Sequence, residues 1–299
     1  MDEPRRVFRF IADSLSRGEP VALVTVVAVT GSSVRSAGAQ MAVAAGGDYV
    51  GSLSGGCFEG AVVAEAQAAI KAGRPRMQHY GAGSPLIDIR LPCGGAVHLL
   101  ICPVDDAGWC NDILDGFTRR EAVEFELAGP QQRRFVIRHA PPLRLAIFGF
   151  GAATSVLARL TRTMGADVGL WSPDAQICAE FGNQATLLRT PRETIDLRGD
   201  DWTAIAMLFH DHDWEAPLLT QLLQLKSLSV AAMGSRATQA ARLAGLEELG
   251  VSPQDRARIK CPIGLIHASR DPDTLALSAF VEAVDSYNRT NPTEIFERD

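Results

Sequence analysis

The sequence predicts an α/β protein of two domains, with an N-terminal mixed α/β domain over residues 1–140 and a C-terminal Rossmann-like parallel-sheet domain over residues 143–299. Three observations support this prediction. The 299 residues are enough for two domains of ordinary size. The proline pair Pro141-Pro142 is typical of a linker. Beyond it the mixed pattern gives way to the order strand, glycine turn, helix and strand, which indicates a βαβ unit.

The composition excludes several classes of protein. The chain is 46% hydrophobic and 21% charged, so it can bury a core, and its net charge of -6 without a basic stripe argues against a nucleic-acid partner. A charged N-terminus and the lack of an apolar run of about 18 residues predict neither a signal peptide nor a membrane span. We expect a cytoplasmic protein. Its six cysteines include no C-x-x-C pair, so neither a zinc ribbon nor a disulfide framework is expected.

The first half begins with an amphipathic pattern over residues 5–17, which predicts a helix. The uncharged, β-branched run 21–29 predicts a buried strand. An alanine-rich run from Cys57 to Ala72 predicts a second helix, which Gly73 ends. The other elements predicted here are hairpin strands at 41–45 and 49–53, strands at 76–80, 87–91, 96–102, 122–127 and 135–139, and a helix from an Asp105 or Asp106 cap to about Arg120.

The second half opens with the predicted βαβ unit. Residues 143–148 form its first strand, 152–164 its helix and 168–171 its second strand. The other elements predicted in this half are strands at 204–208 and 228–233 and helices at 217–225, 237–249 and 272–287.

A glycine turn lies between that first strand and helix, where a dinucleotide-binding turn belongs. Gly149 and Gly151 allow a phosphate to approach the backbone at a helix N-terminus. The third glycine position holds Thr154, and Ser172 stands where an acid would bind a ribose hydroxyl. The turn therefore predicts a Rossmann-like fold. Two alternatives stay open for its function: the turn binds NAD(P), or the fold has lost or changed that ligand.

Two segments of the first half place a thiol beside two glycines. Ser54-Gly55-Gly56-Cys57-x-Glu59 puts Cys57 at the first turn of a predicted helix, where the helix dipole favours the thiolate. Cys93-Gly94-Gly95 repeats the combination between two predicted strands. A packed structural cysteine is the alternative, but it does not need two adjacent glycines. The pair therefore predicts a ligand site with room for a bulky molecule.

Polar groups follow the first strand at Gly31-Ser32-Ser33-x-Arg35. The hydroxyls of Ser32 and Ser33 and the guanidinium of Arg35 suit a phosphate or a carboxylate, and an ordinary turn with a surface arginine is the alternative.

A run of alternating histidine and aspartate, His210-Asp211-His212-Asp213, follows the strand predicted at 204–208. The two histidines could ligate a metal or act as acid and base, but at a strand end we expect the two side chains to face opposite sides, which argues against a metal site with two histidines. A loop that lines the ligand crevice at the carboxyl end of a parallel strand is the favoured interpretation.

The ordered set of motifs resembles the xanthine dehydrogenase accessory (XdhC/CoxI) family over nearly the whole chain. Its N-terminal domain is similar to four segments, which are Gly31-Ser32-Ser33-x-Arg35, Gly38-Ala39-x-Met41, Gly51-Ser52-x-Ser54-Gly55-Gly56-Cys57-x-Glu59 and Cys93-Gly94-Gly95. Its second domain is similar to His210-Asp211-His212-Asp213, Gly234-Ser235-Arg236 and Pro262-Ile263-Gly264-Leu265. The chain departs from the family at Ala152, where a histidine is usual, at Ser172, where an acid is usual, and at Phe209, where a threonine is usual.

The resemblance implies a cofactor chaperone rather than an enzyme. Members of the family bind the molybdenum–pterin cofactor (molybdopterin), assist its sulfuration and deliver it to a xanthine dehydrogenase-type or carbon monoxide dehydrogenase-type enzyme. The implied partners are the large subunit of a molybdenum hydroxylase and a cysteine desulfurase, and the implied assembly is a homo-oligomer. The implied cofactor-binding residues are Ser32, Ser33, Arg35, Gly55, Gly56, Cys57, Glu59, Cys93, Gly94 and Gly95 in the first domain, and Gly149, Gly151, His210 and Asp211 in the second.

Cys57 is the predicted metal ligand, because molybdenum is soft enough to accept a thiolate. Two other functions stay open. One is an NAD(P)-dependent oxidoreductase built on the Gly149-Phe150-Gly151 turn, for which the sequence offers no hydride-transfer base. The other is a non-catalytic docking module for a dehydrogenase.

Overall fold

A computed structural model describes residues 2–56, 58–81, 95–266, 269–290 and 293–298, which fall into two compact units. One contains residues 2–141 and 293–298, and the other contains residues 142–290. The helices of the described residues are α1 (Glu3–Ser16), α2 (Glu59–Ala72), α3 (Gly108–Thr118), α4 (Ala152–Thr163), α5 (Ala175–Phe181), α6 (His212–Leu222), α7 (Arg236–Glu248), α8 (Pro253–Ala257) and α9 (Pro272–Asn288). None of these helices is both long and apolar enough to cross a membrane.

The strands in the same ranges are β1 (Val21–Thr30), β2 (Gln40–Ala44), β3 (Tyr49–Gly51), β4 (Arg76–Gly81), β5 (Ala96–Val104), β6 (Val123–Ala128), β7 (Arg134–His139), β8 (Arg144–Gly149), β9 (Asp167–Ser172), β10 (Ala185–Leu187), β11 (Thr203–Leu208), β12 (Ser229–Ala232), β13 (Ile259–Lys260) and β14 (Thr293–Arg298).

The main sheet of the N-terminal unit has the strand order β3-β2-β1-β5-β4, and its neighbouring strands are antiparallel. Its central strand β1 is buried on both faces, which explains the uncharged run in the sequence. Val21 and Leu23 pack into the core that α1 and α3 cover, while Ala22 and Val24 pack into the core that α2 covers.

A second, antiparallel sheet of the same unit has the order β14-β7-β6. The sequence predicted that the second domain extends to residue 299, whereas β14 pairs along β7 from Thr293 opposite His139 to Arg298 opposite Arg134. The pairing has a physical reason, because β7 is largely buried and β14 satisfies the backbone groups on one of its edges.

The C-terminal unit confirms the predicted Rossmann-like fold. Its strands are all parallel in the order β10-β9-β8-β11-β12-β13, which places the reversal of strand order between β8 and β11. Apolar side chains fill both faces of the sheet. On β8, Leu145 and Ile147 belong to one core and Ala146 and Phe148 to the other.

The predicted elements differ from the structure mainly at helix starts and in short segments. Helix α6 begins at His212 rather than at Pro217, because Asp211 caps it by accepting the backbone N–H of Asp213 at 2.9 Å. The short elements α5, α8, β10, β13 and β14 were not predicted. The strand predicted at 87–91 lies outside the described residues.

Candidate functional site

Three backbone segments meet at one end of the main sheet of the N-terminal unit. Strand β1 ends at Thr30 directly opposite Ala96, the first residue of β5, and β4 ends at Gly81 opposite the same residue. Strand β3 ends at Gly51 opposite Met41, near the start of β2. Three segments therefore lie at the same end of the sheet. They are the polar loop after β1, the glycine loop after β3 and the residue before β5.

Gly95 fits beside Ser32 only because it lacks a side chain. A Cβ atom added at Gly95 would collide with the carbonyl oxygen of Ser32 and would lie 2.9 Å from the carbonyl oxygen of Thr30. A Cβ atom added at Gly55 would lie 4.0 Å from Cγ1 of Val34. The described parts of the three predicted loops therefore lie close together: Gly95 beside Ser32, and Gly55 near Val34.

Cys57, Cys93 and Gly94 lie outside the described residues. The two glycines that precede Cys57 are described, and both are exposed with φ angles of 75° at Gly55 and 109° at Gly56. A Cβ atom added at Gly56 would meet none of the described atoms within 4 Å, so the described surroundings leave the backbone open to a bulky molecule.

Glu59 was predicted to contact a cofactor, but in the structure its carboxylate holds the glycine loop. The side chain is 5% exposed. Its Oε1 atom accepts the Ser52 hydroxyl at 3.0 Å and the backbone N–H of Leu53 at 3.2 Å and of Ser54 at 2.9 Å. Its Oε2 atom accepts the backbone N–H of Gly56 at 2.9 Å and the Ser54 hydroxyl.

These hydrogen bonds decide the charge of Glu59. Burial alone would raise the pKa of this carboxyl from 4.5, but hydrogen bonds from Ser54 and Ser52 outweigh burial and hold the pKa at about 2. A carboxylate with this many donors is a positioning group, because its acceptor sites are already used. The role found for Glu59 is therefore to shape the loop.

Arg35 lies at the same edge, and its guanidinium forms an ion pair with Glu3 of α1. The other carboxylate oxygen of Glu3 accepts the backbone N–H of Ser52 at 3.0 Å. Glu3 thus joins the loop after β1 to the glycine loop, and the amino-acid pattern of α1 gave no signal of that role. Ser33 accepts the backbone N–H of Arg35 at 3.3 Å, and Ser32 is exposed beside it.

The glycine turn of the C-terminal unit is closely packed at its first residue and open at its last. A Cβ atom at Gly149 would lie 2.7 Å from Oγ1 of Thr154 and 2.8 Å from Cβ of Leu208, whereas none of the described atoms lies within 4 Å at Gly151. The Thr154 hydroxyl donates to the Phe150 carbonyl at 3.1 Å. Thr154 therefore fills the third glycine position by bonding back to the turn.

The end of β9 offers no carboxylate for a ribose. Ser172 is fully buried, and its hydroxyl oxygen accepts the backbone N–H of Asp174 at 3.1 Å. The carboxylate of Asp174 accepts the N–H groups of Gln176 at 2.9 Å and Ile177 at 3.2 Å, so it serves as the cap of α5.

A cavity of about 690 Å³ lies at the carboxyl ends of β8, β11, β12 and β13. Gly151 and His210 line it, so the structure brings these two predicted residues together. Asp211 caps α6 and does not line the cavity. Within the described ranges no three His, Cys, Asp or Glu side chains are grouped as a metal site would require.

The half-exposed side chain of His212 contacts a buried ion pair that the sequence did not predict. Its Nδ1 atom lies 3.1 Å from Oε2 of Glu215, and Arg242 donates to both oxygens of Glu215 at 3.1 and 2.8 Å. Side-chain exposure is 1% for Arg242 and 2% for Glu215. Burial alone would lower the pKa of Arg242, but the hydrogen bonds and charge of Glu215 raise it.

Other motifs of the second half also have structural explanations. Ser235 caps α7 by accepting the backbone N–H of Thr238 at 3.1 Å. The backbone N–H of Gly264 donates to Glu282 at 2.8 Å, and that of Ile266 donates to the Ser278 hydroxyl at 2.7 Å. These bonds fasten the segment after β13 to helix α9.

Comparison with known proteins gives matches along both units. Residues 14–81 match the XdhC and CoxI family, and residues 145–283 match the XdhC Rossmann domain. The molybdenum cofactor insertion chaperone PaoD of Escherichia coli K12 is 33% identical, with 94% of this chain and 88% of that protein covered. The uncharacterized protein YqeB of the same organism is 25% identical over 90% of this chain but only 44% of that protein.

One solved structure covers 94% of this chain and 96% of its own, with a TM-score of 0.76 and 20% identity. It is described as a xanthine dehydrogenase from Bacillus halodurans. At this identity the likeness establishes a shared fold.

Proposed function

Since this chain belongs to the XdhC and CoxI family, we propose that it is an accessory protein that binds the molybdenum–pterin cofactor in the cytoplasm and assists its insertion into a molybdenum hydroxylase. The observation that carries the proposal is the 33% identity to a molybdenum cofactor insertion chaperone over 94% of the chain. The cofactor is cargo, so the chain needs a site that holds it firmly and releases it to a partner.

The glycine loop after β3 suits such cargo. Gly55 and Gly56 leave the backbone open, and Glu59 fixes the loop from the buried side. Cys57 follows directly in the sequence, and a thiolate is a ligand that molybdenum accepts. We infer that Cys57 binds the metal and that the open backbone accommodates the pterin, with Cys93 and Gly94 contributing to the same site.

The loop after β1 supplies the groups for the cofactor's phosphate. Ser32 and Ser33 offer hydroxyls, and Gly95 holds the backbone of Ser32 close to β5. Arg35 contributes positive charge, although its pairing with Glu3 shares that charge between two elements. The phosphate would compete with Glu3 for the guanidinium, which provides a way to weaken binding when the cargo is released.

The partners follow from the same proposal. The large subunit of a molybdenum hydroxylase would receive the cofactor, and a cysteine desulfurase would supply sulfur before transfer. In the same proposal the accessory protein forms a homo-oligomer and performs no catalytic turnover.

The test is the pterin content of protein purified from a host that makes molybdopterin. We expect Cys57→Ser to keep the fold, because the change is nearly isosteric, and to lose most of the bound cofactor and most activation of the partner enzyme. Cys93→Ser should lose less. The matched control is Cys178→Ser, since Cys178 lies in the other unit and its thiol contacts the carbonyls of Ser172 and Thr186. Equal pterin content in the parent and Cys57→Ser would refute the thiolate assignment.

A further inference from the structure

The cavity of the C-terminal unit lies over one half of the sheet. Its walls come from the segments that follow β8, β11, β12 and β13, together with the start of α9. Neither the end of β9 nor that of β10 lines it within the described residues. Phe150, Met233, Ile263 and Leu275 provide apolar surface, and a volume of about 690 Å³ is ample for a small organic molecule.

Most polar side chains of the cavity wall are already used by the protein. Ser235 and Asp271 cap α7 and α9, the latter by accepting the backbone N–H of Thr274 at 2.8 Å. The Ser269 hydroxyl donates to the Ile266 carbonyl at 3.2 Å. Asp271 is the carboxylate among the described lining residues, and the N-terminus of α9 compensates its charge.

The described polar side chains and N–H groups that remain can donate hydrogen bonds to an anion. Arg270 and His210 line the cavity, are both exposed, and form no ion pair or hydrogen bond with another described residue. Helix α4 has no side-chain cap, and no acceptor in the described ranges receives the backbone N–H groups of Ala152 and Ala153. In the same unit α5, α6, α7, α8 and α9 each have a capping side chain.

We propose that this cavity binds a ligand of mononucleotide size, with its phosphate between Arg270 and the open end of α4 and its ring against the apolar wall. The cavity and two basic side chains that pair with no other described residue define the site, and the helix end supplies two further N–H donors. The strand order supports this position, because ligands of doubly wound sheets bind beside the strands at which the order reverses.

A complete dinucleotide does not fit this description. Its second half would lie beyond β9, where Ser172 is buried and the carboxylate of Asp174 is used to cap α5. The inference is therefore narrower than the NAD(P) interpretation of the glycine turn. It involves neither Cys57 nor the N-terminal loops, so it stands or falls separately from the chaperone function.

The proposal can be tested by calorimetric titration of the full chain with the 5′-monophosphates of adenosine, guanosine and cytidine. Adenosine, inorganic pyrophosphate and NAD⁺ serve as comparison ligands. We expect saturable binding of at least one monophosphate with a Kd below about 100 μM, and at least tenfold weaker binding of adenosine and of pyrophosphate. NAD⁺ should bind no more tightly than the best monophosphate.

Two variants and one control locate the site. Ala152→Asp places a carboxylate at the first turn of α4, where it is compatible with the helix but repels a phosphate, and it should weaken binding about 30-fold or more. Arg270→Gln should weaken it about tenfold. Ala175→Asp makes the same change at the first residue of α5, away from the cavity, and should leave the Kd unchanged.

Each contrary result overturns a stated part of the proposal. Absence of saturable binding by every monophosphate overturns the site itself. Unchanged binding by Ala152→Asp and Arg270→Gln overturns its location. Tenfold tighter binding of NAD⁺ than of any monophosphate overturns the mononucleotide size, and equal binding of pyrophosphate overturns the role of the apolar wall.

Discussion

The carboxylate of Glu59 accepts the backbone N–H of Gly56 at 2.9 Å, so the first residue of helix α2 holds the glycine that precedes Cys57. The same carboxylate accepts two further backbone N–H groups and two serine hydroxyls. The shape of the proposed cofactor loop therefore depends on a buried negative charge.

Replacing that charge tests the relationship. Glu59→Gln keeps the size of the side chain but turns an NH₂ group toward backbone donors, and we expect the free energy of unfolding to fall by about 2 kcal/mol. Pterin content should fall with it. Glu124→Gln is the matched control, because Glu124 is exposed on β6 in the same unit. Equal stability of the two variants in urea unfolding would argue against this role for Glu59.

The pH dependence of Glu59 has a definite sign. Its pKa is about 2 in the folded protein against 4.5 for a free carboxyl, so its contribution is present above pH 4.5 and is lost as the pH falls toward 2. We expect this to amount to about 2 kcal/mol after allowance for water near the loop. Acid unfolding of Glu59→Gln should show a correspondingly weaker dependence between these two pH values.

Gly95 and Gly60 give opposite predictions for the same substitution. Gly95→Ala forces a Cβ atom against the carbonyl oxygens of Ser32 and Thr30 and should destabilise the unit by about 1–3 kcal/mol. Gly60→Ala meets no described atom within 4 Å on helix α2 and should stabilise by about 0.5 kcal/mol. Thermal unfolding measures both changes. A neutral Gly95→Ala would mean that the loop after β1 adapts easily.

His139 makes the N-terminal unit sensitive to mild acid. Burial lowers the pKa of this imidazole from 6.5 to about 4, and its nitrogens lie 3.0 Å from Oγ1 of Thr293 and 2.8 Å from Oε1 of Gln40. The unfolded chain therefore binds a proton as the pH falls below 6.5, whereas the folded chain does so only near pH 4. We expect a loss of about 3 kcal/mol over this interval.

The measurement for His139 is the free energy of unfolding in urea at pH 7 and at pH 4.5. His139→Gln cannot titrate, so its stability should change less between the two values even if its stability at pH 7 is lower. An identical pH dependence in parent and variant would show that another group is responsible.

The buried pair of Arg242 and Glu215 should respond differently to single and double substitution. Arg242→Met leaves a buried carboxylate without its main partner and should cost about 3–5 kcal/mol. Adding Glu215→Leu should recover most of that loss, because the uncompensated charge is removed. Lys226→Met breaks an exposed pair with Asp201 and should cost less than about 1 kcal/mol. Additive losses in the double variant would contradict this account.

Local sequence patterns determined much of this protein. Residues close together in the sequence determine several elements, because burial periodicity and positive φ angles are properties of short segments. These elements are strand β1, the end of α2 at Gly73, and the strand, glycine turn and helix at 143–163. For the same reason the ordered motifs identified the family and the glycine loops.

Only the tertiary structure decided which groups meet. Glu3 and Ser52 are 49 positions apart, and their contact depends on how α1 packs against the sheet. The pairing of β14 with β7 joins residues 293–298 to residues 134–139 near the middle of the chain, and the pair of Glu215 and Arg242 joins two helices. Such contacts leave no periodic signal in the sequence, because the energy comes from burial and charge pairing between segments whose separation along the chain is arbitrary.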